Sequence, residues 1–185
     1  MSSVEGSQDW VAAGLDALAE GGIDGVRVEV VAQRLGVTKG GFYRRYRDRR
    51  ALLEAMLAAW VEGRIAAIRR QSEEGGEAPA DRLRGFIRLF SARQNVQGLA
   101  IELAMRQWAR SDAAAAAAVA RVDEARLAIV SGLYEQLGFP RAEAQARGVI
   151  IYSFLFGEGL LFLDLDTAAR EAMMEACAEA LVSEP

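Results

Sequence analysis

Residues Gly36–Arg50 read GVTKGGFYRRYRDRR, and their charge is out of keeping with the rest of the chain. The 185 residues together carry a formal net charge of −4. From Arg27 to Arg50, eight basic residues (Arg27, Arg34, Lys39, Arg44, Arg45, Arg47, Arg49 and Arg50) stand among only two acidic ones, Glu29 and Asp48. From Ala51 onward the balance reverses, with 14 arginines against 19 acidic residues. A basic patch attracts phosphate through a term that does not depend on sequence and falls with salt. Only one end of this chain is suited to that attraction.

The spacing around the patch gives the charge a shape. Ala32, Gly36, Val37 and Phe42 fall where a helix-turn-helix needs them. A small residue is required where the first helix meets the second, and a glycine where the chain turns sharply at positive φ. Val31, Leu35, Val37 and Phe42 supply the apolar contacts that fix the crossing angle. The second helix of such a pair can enter the major groove, its first residues meeting base edges. The start of the following helix offers unpaired backbone N–H groups to a phosphate. An arginine run alone reads equally well as a solvated helix face; joined to this spacing it points to DNA. Arg44 is a candidate guanine reader.

The remaining composition narrows the alternatives. The chain is 52% hydrophobic and 26% charged, as in globular proteins, and long enough to bury a core. It has 3 prolines and is rich in helix-forming residues, without sustained period-2 alternation. Histidine is absent and Cys177 is the one cysteine. That argues against a metal site, a cofactor held by Cys or His ligands, and any triad with a histidine base. The Glu-x-x-His motifs of di-metal helical bundles are likewise missing. Acidic neighbours such as Asp123 and Glu124 do not converge as catalytic groups, so no enzyme is expected. The polar start MSSVEGSQ lacks the apolar core of a signal peptide. Val149–Leu163 is apolar but interrupted by Glu158 and short for a membrane span. A cytoplasmic protein without membrane association is expected.

The expected fold class is all-α, with about nine helices in two domains. Residues 1–8 form a tail, residues 9–50 a three-helix helix-turn-helix domain, and residues 51–185 a C-terminal helical domain. Asp9 caps a first helix running to about Glu20, and Gly21-Gly22 ends it. A second helix covers about Val28–Leu35, and Thr38 caps a third through about Tyr46. Asp48 caps a long fourth helix, residues 48–71, that links the two domains. After a polar linker at Ser72–Ala80, helices are expected near Asp81–Arg93, Asn95–Arg110, Asp112–Leu137, Arg141–Leu163 and Thr167–Val182. The alanine run Ala113–Ala118 reads as close helix packing.

The segment LDALAEGGIDGVRVEVVAQRLGVTKGGFYRRYRDRRALLEAML resembles the N-terminal domain of the tetracycline-repressor (TetR) family of bacterial transcription regulators. Ala32, Gly36, Val37, Thr38, Lys39, Gly40, Phe42, Tyr43, Tyr46, Asp48, Arg49 and Leu52 fall in step with that family's pattern. The resemblance covers about residues 8–55 and implies a role for each matching position. Thr38 would bind phosphate at the start of the recognition helix. Lys39, Gly40 and Gly41 would face base edges, the glycines allowing close approach. Tyr43 would donate its hydroxyl to a phosphate, and Arg49 stands where a phosphate-binding lysine is usual. Phe42 and Tyr46 would be core. Arg45 replaces the family's common histidine; it loses that ring's packing but adds a phosphate or guanine contact.

For the C-terminal part the resemblance implies a ligand pocket and a homodimer. Phe86, Phe90, Met105 and Trp108 are candidate lining residues, with Glu102 or Arg106 as a polar contact; ordinary core or surface is the more common reading of each. Val149, Tyr152, Phe156 and Leu160 recur at helical spacing beside Gly157 and are the candidate dimer interface; a buried core helix gives the same pattern. The implied partners are a double-stranded, pseudo-palindromic operator, a second copy of the chain, and an apolar or aromatic effector. The implied function is that of a dimeric repressor released by that effector. The alternative is a dimeric DNA-binding regulator without a small-molecule ligand, whose C-terminal domain only dimerises or meets a protein partner.

Overall fold

The structure is a computed structural model that describes residues 5–74, 76–91, 96–161 and 163–182, without the side chains of residues 5–8, 74, 89–91 and 159. Among the described residues there are nine helices and no strand. They are α1 (Glu5–Gly25), α2 (Val28–Arg34), α3 (Lys39–Tyr43), α4 (Arg49–Glu74), α5 (Pro79–Ser91), α6 (Val96–Ala109), α7 (Ala113–Gln136), α8 (Arg141–Leu160) and α9 (Thr167–Leu181). None of the described helices is long and apolar enough to cross a membrane.

Carboxylate caps mark three of the helix starts, and of the caps expected at Asp9, Thr38 and Asp48 only Asp48 is among them. Asp48 Oδ1 accepts the N–H of Ala51 at 2.8 Å at the start of α4. Asp112 accepts from Ala115 at 2.9 Å to open α7, and Asp166 from Ala169 at 2.8 Å to open α9. Each carboxylate satisfies one of the orphan N–H groups of a helix start. The first helix differs from expectation. It begins at Glu5, so Asp9 lies inside it, and 5–8 are helical rather than tail. Glu5–Gln8 holds no proline, and a first turn tolerates glycine and polar residues. The expected stop is real: at Gly22 the backbone swings to φ 62, ψ −166 and divides α1 into two helical pieces. At the other end, α8 stops at Leu160 rather than Leu163. There Leu161 turns extended, and its N–H is held by Glu158 O at 3.1 Å.

The chain divides into two compact units, Met1–Gly63 with Asn95–Val122, and Arg64–Gln94 with Asp123–Pro185. The division does not follow chain order. Helices α4 and α7 each contribute residues to both units.

In the first unit α1 packs against α2 and α6, and α2 against α3. Trp10, Leu18, Val31, Phe42, Leu52 and Met56 are buried there. Phe42 organises the aromatic part of this core: Trp10 meets it edge-on with ring centroids 5.5 Å apart, and Tyr46 lies 5.6 Å away. Helix α4 approaches α1 at Gly14, where an added Cβ would come within 2.6 Å of Met56 Sδ.

In the second unit α5 packs on α8 and α9. Arg84 donates to Glu179 at 3.1 Å and Arg88 to Glu175 at 3.0 and 2.8 Å, tying α5 to α9 along their exposed edge. Arg126 is buried, its guanidinium 5.4 Å from the Phe156 ring centroid and 5.9 Å from that of Tyr152, with Asp123 3.2 Å away. Glu158 and Arg170 form an ion pair between α8 and the start of α9. Both groups sit inside the fold, where their charges need each other.

Candidate nucleic-acid interface

The turn between α2 and α3 is built by one glycine. Gly36 adopts φ 65, in the left-handed region that side chains rarely enter. Its N–H donates to Gln33 O at 3.0 Å, and the next N–H, of Val37, to Ala32 O at 3.0 Å. The chain therefore reverses within a few residues, and α3 starts on the outside of the unit. Thr38 is its N-cap residue, extended at φ −82, ψ 160, and its side chain makes no cap hydrogen bond. The hydroxyl is left facing solvent.

One residue of α3 anchors it and the others face out. Phe42 is fully buried. Thr38, Lys39, Gly40, Tyr43, Arg44 and Arg45 are exposed, and Gly41 is half-buried. Tyr43 keeps 60% of its surface although its ring lies edge-on to Phe42 at 5.2 Å. Its hydroxyl is thus carried outward on a ring that packing orients.

The two glycines are not demanded by packing. A Cβ on Gly40 would meet Thr38 Oγ1 at 3.6 Å, and one on Gly41 would meet Val37 at 3.7 Å, both ordinary contacts. Neither has positive φ. Glycine in a helix costs roughly 0.5–1 kcal/mol relative to alanine, so the fold gives no reason for either. A surface that another molecule approaches closely does give one.

The positive charges fall into three groups. Arg27, Arg44 and Arg45 make no ion pair among the described residues and are exposed. Four others sit in exposed pairs: Arg34 with Glu20, Lys39 with Glu29 at 2.5 Å, Arg47 with Asp48 at 3.3 Å and Arg50 with Glu54 at 3.0 Å. Exposed pairs contribute little and exchange readily for a phosphate. The Lys39 hydrogen bond to Glu29 still leaves a mark on both groups. It holds the Glu29 carboxyl below the ordinary carboxylate range and raises the Lys39 ammonium above its own.

Arg49 stands apart. It is half-buried, and its guanidinium forks onto two carbonyls, Nε donating to Val26 O and Nη2 to Ile23 O, each at 2.5 Å. Those carbonyls lie past the kink in α1; Ile23 O also accepts the N–H of Val26 at 3.3 Å. Of the residues expected to touch DNA, Thr38, Lys39, Gly40, Gly41, Tyr43, Arg44 and Arg45 come together on and around α3, whereas Arg49 is drawn inward. Sequence reasoning did not find Glu29, ten positions before Lys39 and on a different helix. No helical periodicity links the two.

Residues 11–56 match the family model described as bacterial regulatory proteins, tetR family. Residues 11–56 form a TetR-family domain. A comparison with curated proteins gives no match. Solved structures extend the likeness of fold beyond this domain. GusR of Salmonella enterica has a TM-score of 0.72 at 12% identity, over 98% of this chain and 97% of that one. A regulatory protein in the tetR family from Rhodococcus RHA1 has a TM-score of 0.70 at 17% identity, over 98% and 96%. The ketosteroid transcriptional regulator KstR2 of Mycobacterium tuberculosis has a TM-score of 0.67 at 12% identity, over 95% and 92%. The fold is therefore that of TetR-family transcriptional regulators, and α2 and α3 are the helix-turn-helix of its TetR-family domain.

The other expected residues are drawn from both units. Phe86 is buried on α5 in the second unit; Glu102, Met105 and Trp108 are buried on α6 in the first. Arg106 donates to Glu102 at 3.1 Å within α6. The side chain of Phe90 lies outside the described residues. A cleft of about 370 Å³ is lined by Tyr134, Glu143, Ala146, Arg147, Ile150, Ala180 and Leu181, and borders none of those candidates. On α8, Val149 and Leu160 are exposed at 51% and 57%, with Ile150 and Leu161 beside them. Gly157 and Phe156 are half-buried, and Tyr152 is buried at 7%, turned toward Arg126. The expected interface residues thus differ in exposure within the single chain.

Proposed function

We propose that the protein is a dimeric transcriptional repressor that binds a pseudo-palindromic operator through α3 and leaves it when a small molecule binds. The observation that carries the DNA reading is the first turn of α3. It is exposed, basic and bare of side chains at Gly40 and Gly41, although packing would accept a Cβ at either. In this reading Lys39 reaches base edges, Thr38 and Tyr43 donate hydroxyls to phosphates, and Arg44 and Arg45 add phosphate or guanine contacts. Lys39→Ala and Tyr43→Phe should each weaken operator binding about tenfold or less in gel shifts, with unchanged circular dichroism. Unchanged affinity in both variants would remove the site.

The dimer reading rests on the exposed apolar residues of α8. A symmetric pair would place two recognition helices about one DNA turn apart. The effector reading is an apolar or aromatic small molecule within the C-terminal helices. It must bind the DNA-incompetent arrangement more tightly, or it could not release DNA. A thermal-shift screen with apolar metabolites tests it, since a ligand bound only to the native state raises Tm.

A further inference from the structure

The chain holds 22 basic residues, and Lys39 is its single lysine. The side chain at the start of α3 is thus the one place where an ammonium stands instead of a guanidinium. An ammonium is a compact charge whose three donors can be shared. Gly40 and Gly41 follow it, so beyond the short Thr38 this turn presents one long side chain. That side chain does not stand alone: Glu29, in the first turn of α2, bonds it at 2.5 Å, and both are exposed on the same surface. A carboxylate facing a phosphate lattice weakens general attraction to DNA. Its position in the first turn of α2 suits the helix dipole, and its bond to Lys39 holds it beside whatever Lys39 reads.

We propose that Glu29 is a specificity-determining residue, and that Glu29 and Lys39 together read one G·C pair. Lys39 donates to the O6 and N7 acceptors of guanine, and Glu29 accepts from the N4 amino group of the paired cytosine. The major-groove edge of a G·C pair offers two acceptors beside one donor. The bonded pair of side chains offers the complement, an ammonium with donors to spare beside a carboxylate with lone pairs to spare. Glu29 also disfavours unspecific binding, because it offsets a charge that would otherwise meet any phosphate. The proposal rests on the DNA-binding reading of α3.

The test uses the full chain. Operators are first selected from random duplex DNA with the wild-type protein. Affinities of wild type, Glu29→Ala, Glu29→Gln and Lys39→Ala are then measured on the selected operator, on its single-base variants and on a scrambled duplex, across a salt series. Both Glu29 variants should lose about tenfold of preference at one G·C pair, the same pair at which Lys39→Ala loses preference. They should bind the scrambled duplex more tightly, with a salt slope steeper by about one unit. Replacing that cytosine by pyrimidin-2-one, which lacks the amino group, should weaken wild type and leave Glu29→Ala indifferent. Retention of wild-type preference at every position by both Glu29 variants overturns the proposal; so does a change in salt slope alone. If wild type selects no operator at all, the DNA-binding reading fails first and this proposal falls with it.

Discussion

Arg49 donates through Nε to Val26 O at 2.5 Å, so the first residue of α4 is bonded to the connector between α1 and α2. The second arm of the fork reaches Ile23 O. One side chain thus fixes the α1–α2 corner against the start of α4. Arg49→Ala should therefore destabilise the protein by about 1–3 kcal/mol in urea unfolding, since two charge-assisted hydrogen bonds are lost. Arg49→Lys should recover only part, because an ammonium cannot reproduce a planar fork. A phosphate-binding role alone would instead leave the unfolding midpoint unchanged and lower operator affinity.

Gly40→Ala separates folding from binding. The added methyl meets only Thr38 Oγ1 at 3.6 Å, so stability should hold or rise by up to about 1 kcal/mol. Operator affinity should fall, because the methyl occupies space needed by the DNA. Chemical denaturation and gel shifts on the same preparation check both signs; unchanged affinity would show that the surface does not need to be bare.

Tyr134 gives the second unit a pH-dependent contact. Its hydroxyl donates to Leu181 O at 2.7 Å, and burial pushes its pKa from 10.0 up to about 12. The folded pKa lies above the unfolded one, so the neutral phenol's contribution is fully present below pH 10. It is lost as pH rises from 10 toward 12. Tyr134→Phe should cost about 0.5–1.5 kcal/mol at neutral pH. Its stability should also decline less than wild type between those pH values, as followed by denaturant midpoints.

The exposed residues of α8 predict the oligomeric state. Val149→Glu combined with Leu160→Glu should convert a dimer to a monomer in sedimentation analysis and weaken operator binding cooperatively. Both side chains are more than half exposed, so the monomer should keep its fold. A wild-type protein that sediments as a monomer at micromolar concentration would remove the dimer reading.

Local chemistry made much of this protein legible in its sequence. Asp48, Asp112 and Asp166 announce helix starts because a carboxylate meets orphan N–H groups within three residues. Gly36 announces the turn because only glycine adopts its φ without strain. Ala32, Phe42 and their spacing then fix the helix-turn-helix, and the basic run beside it marks the surface.

Tertiary structure decided what each charged side chain does. Arg45 and Arg49 look alike in the sequence, yet one faces solvent and the other serves two backbone carbonyls. Val149 and Tyr152 belong to one periodic stripe, yet one is exposed and the other faces a buried arginine. Glu29 finds Lys39 only because the turn at Gly36 folds α3 back toward α2. The physical reason is range. Caps, turns and helical periods act over three or four residues and can be read along the chain. A guanidinium or ammonium on a long flexible stem takes whichever partner the fold brings within reach.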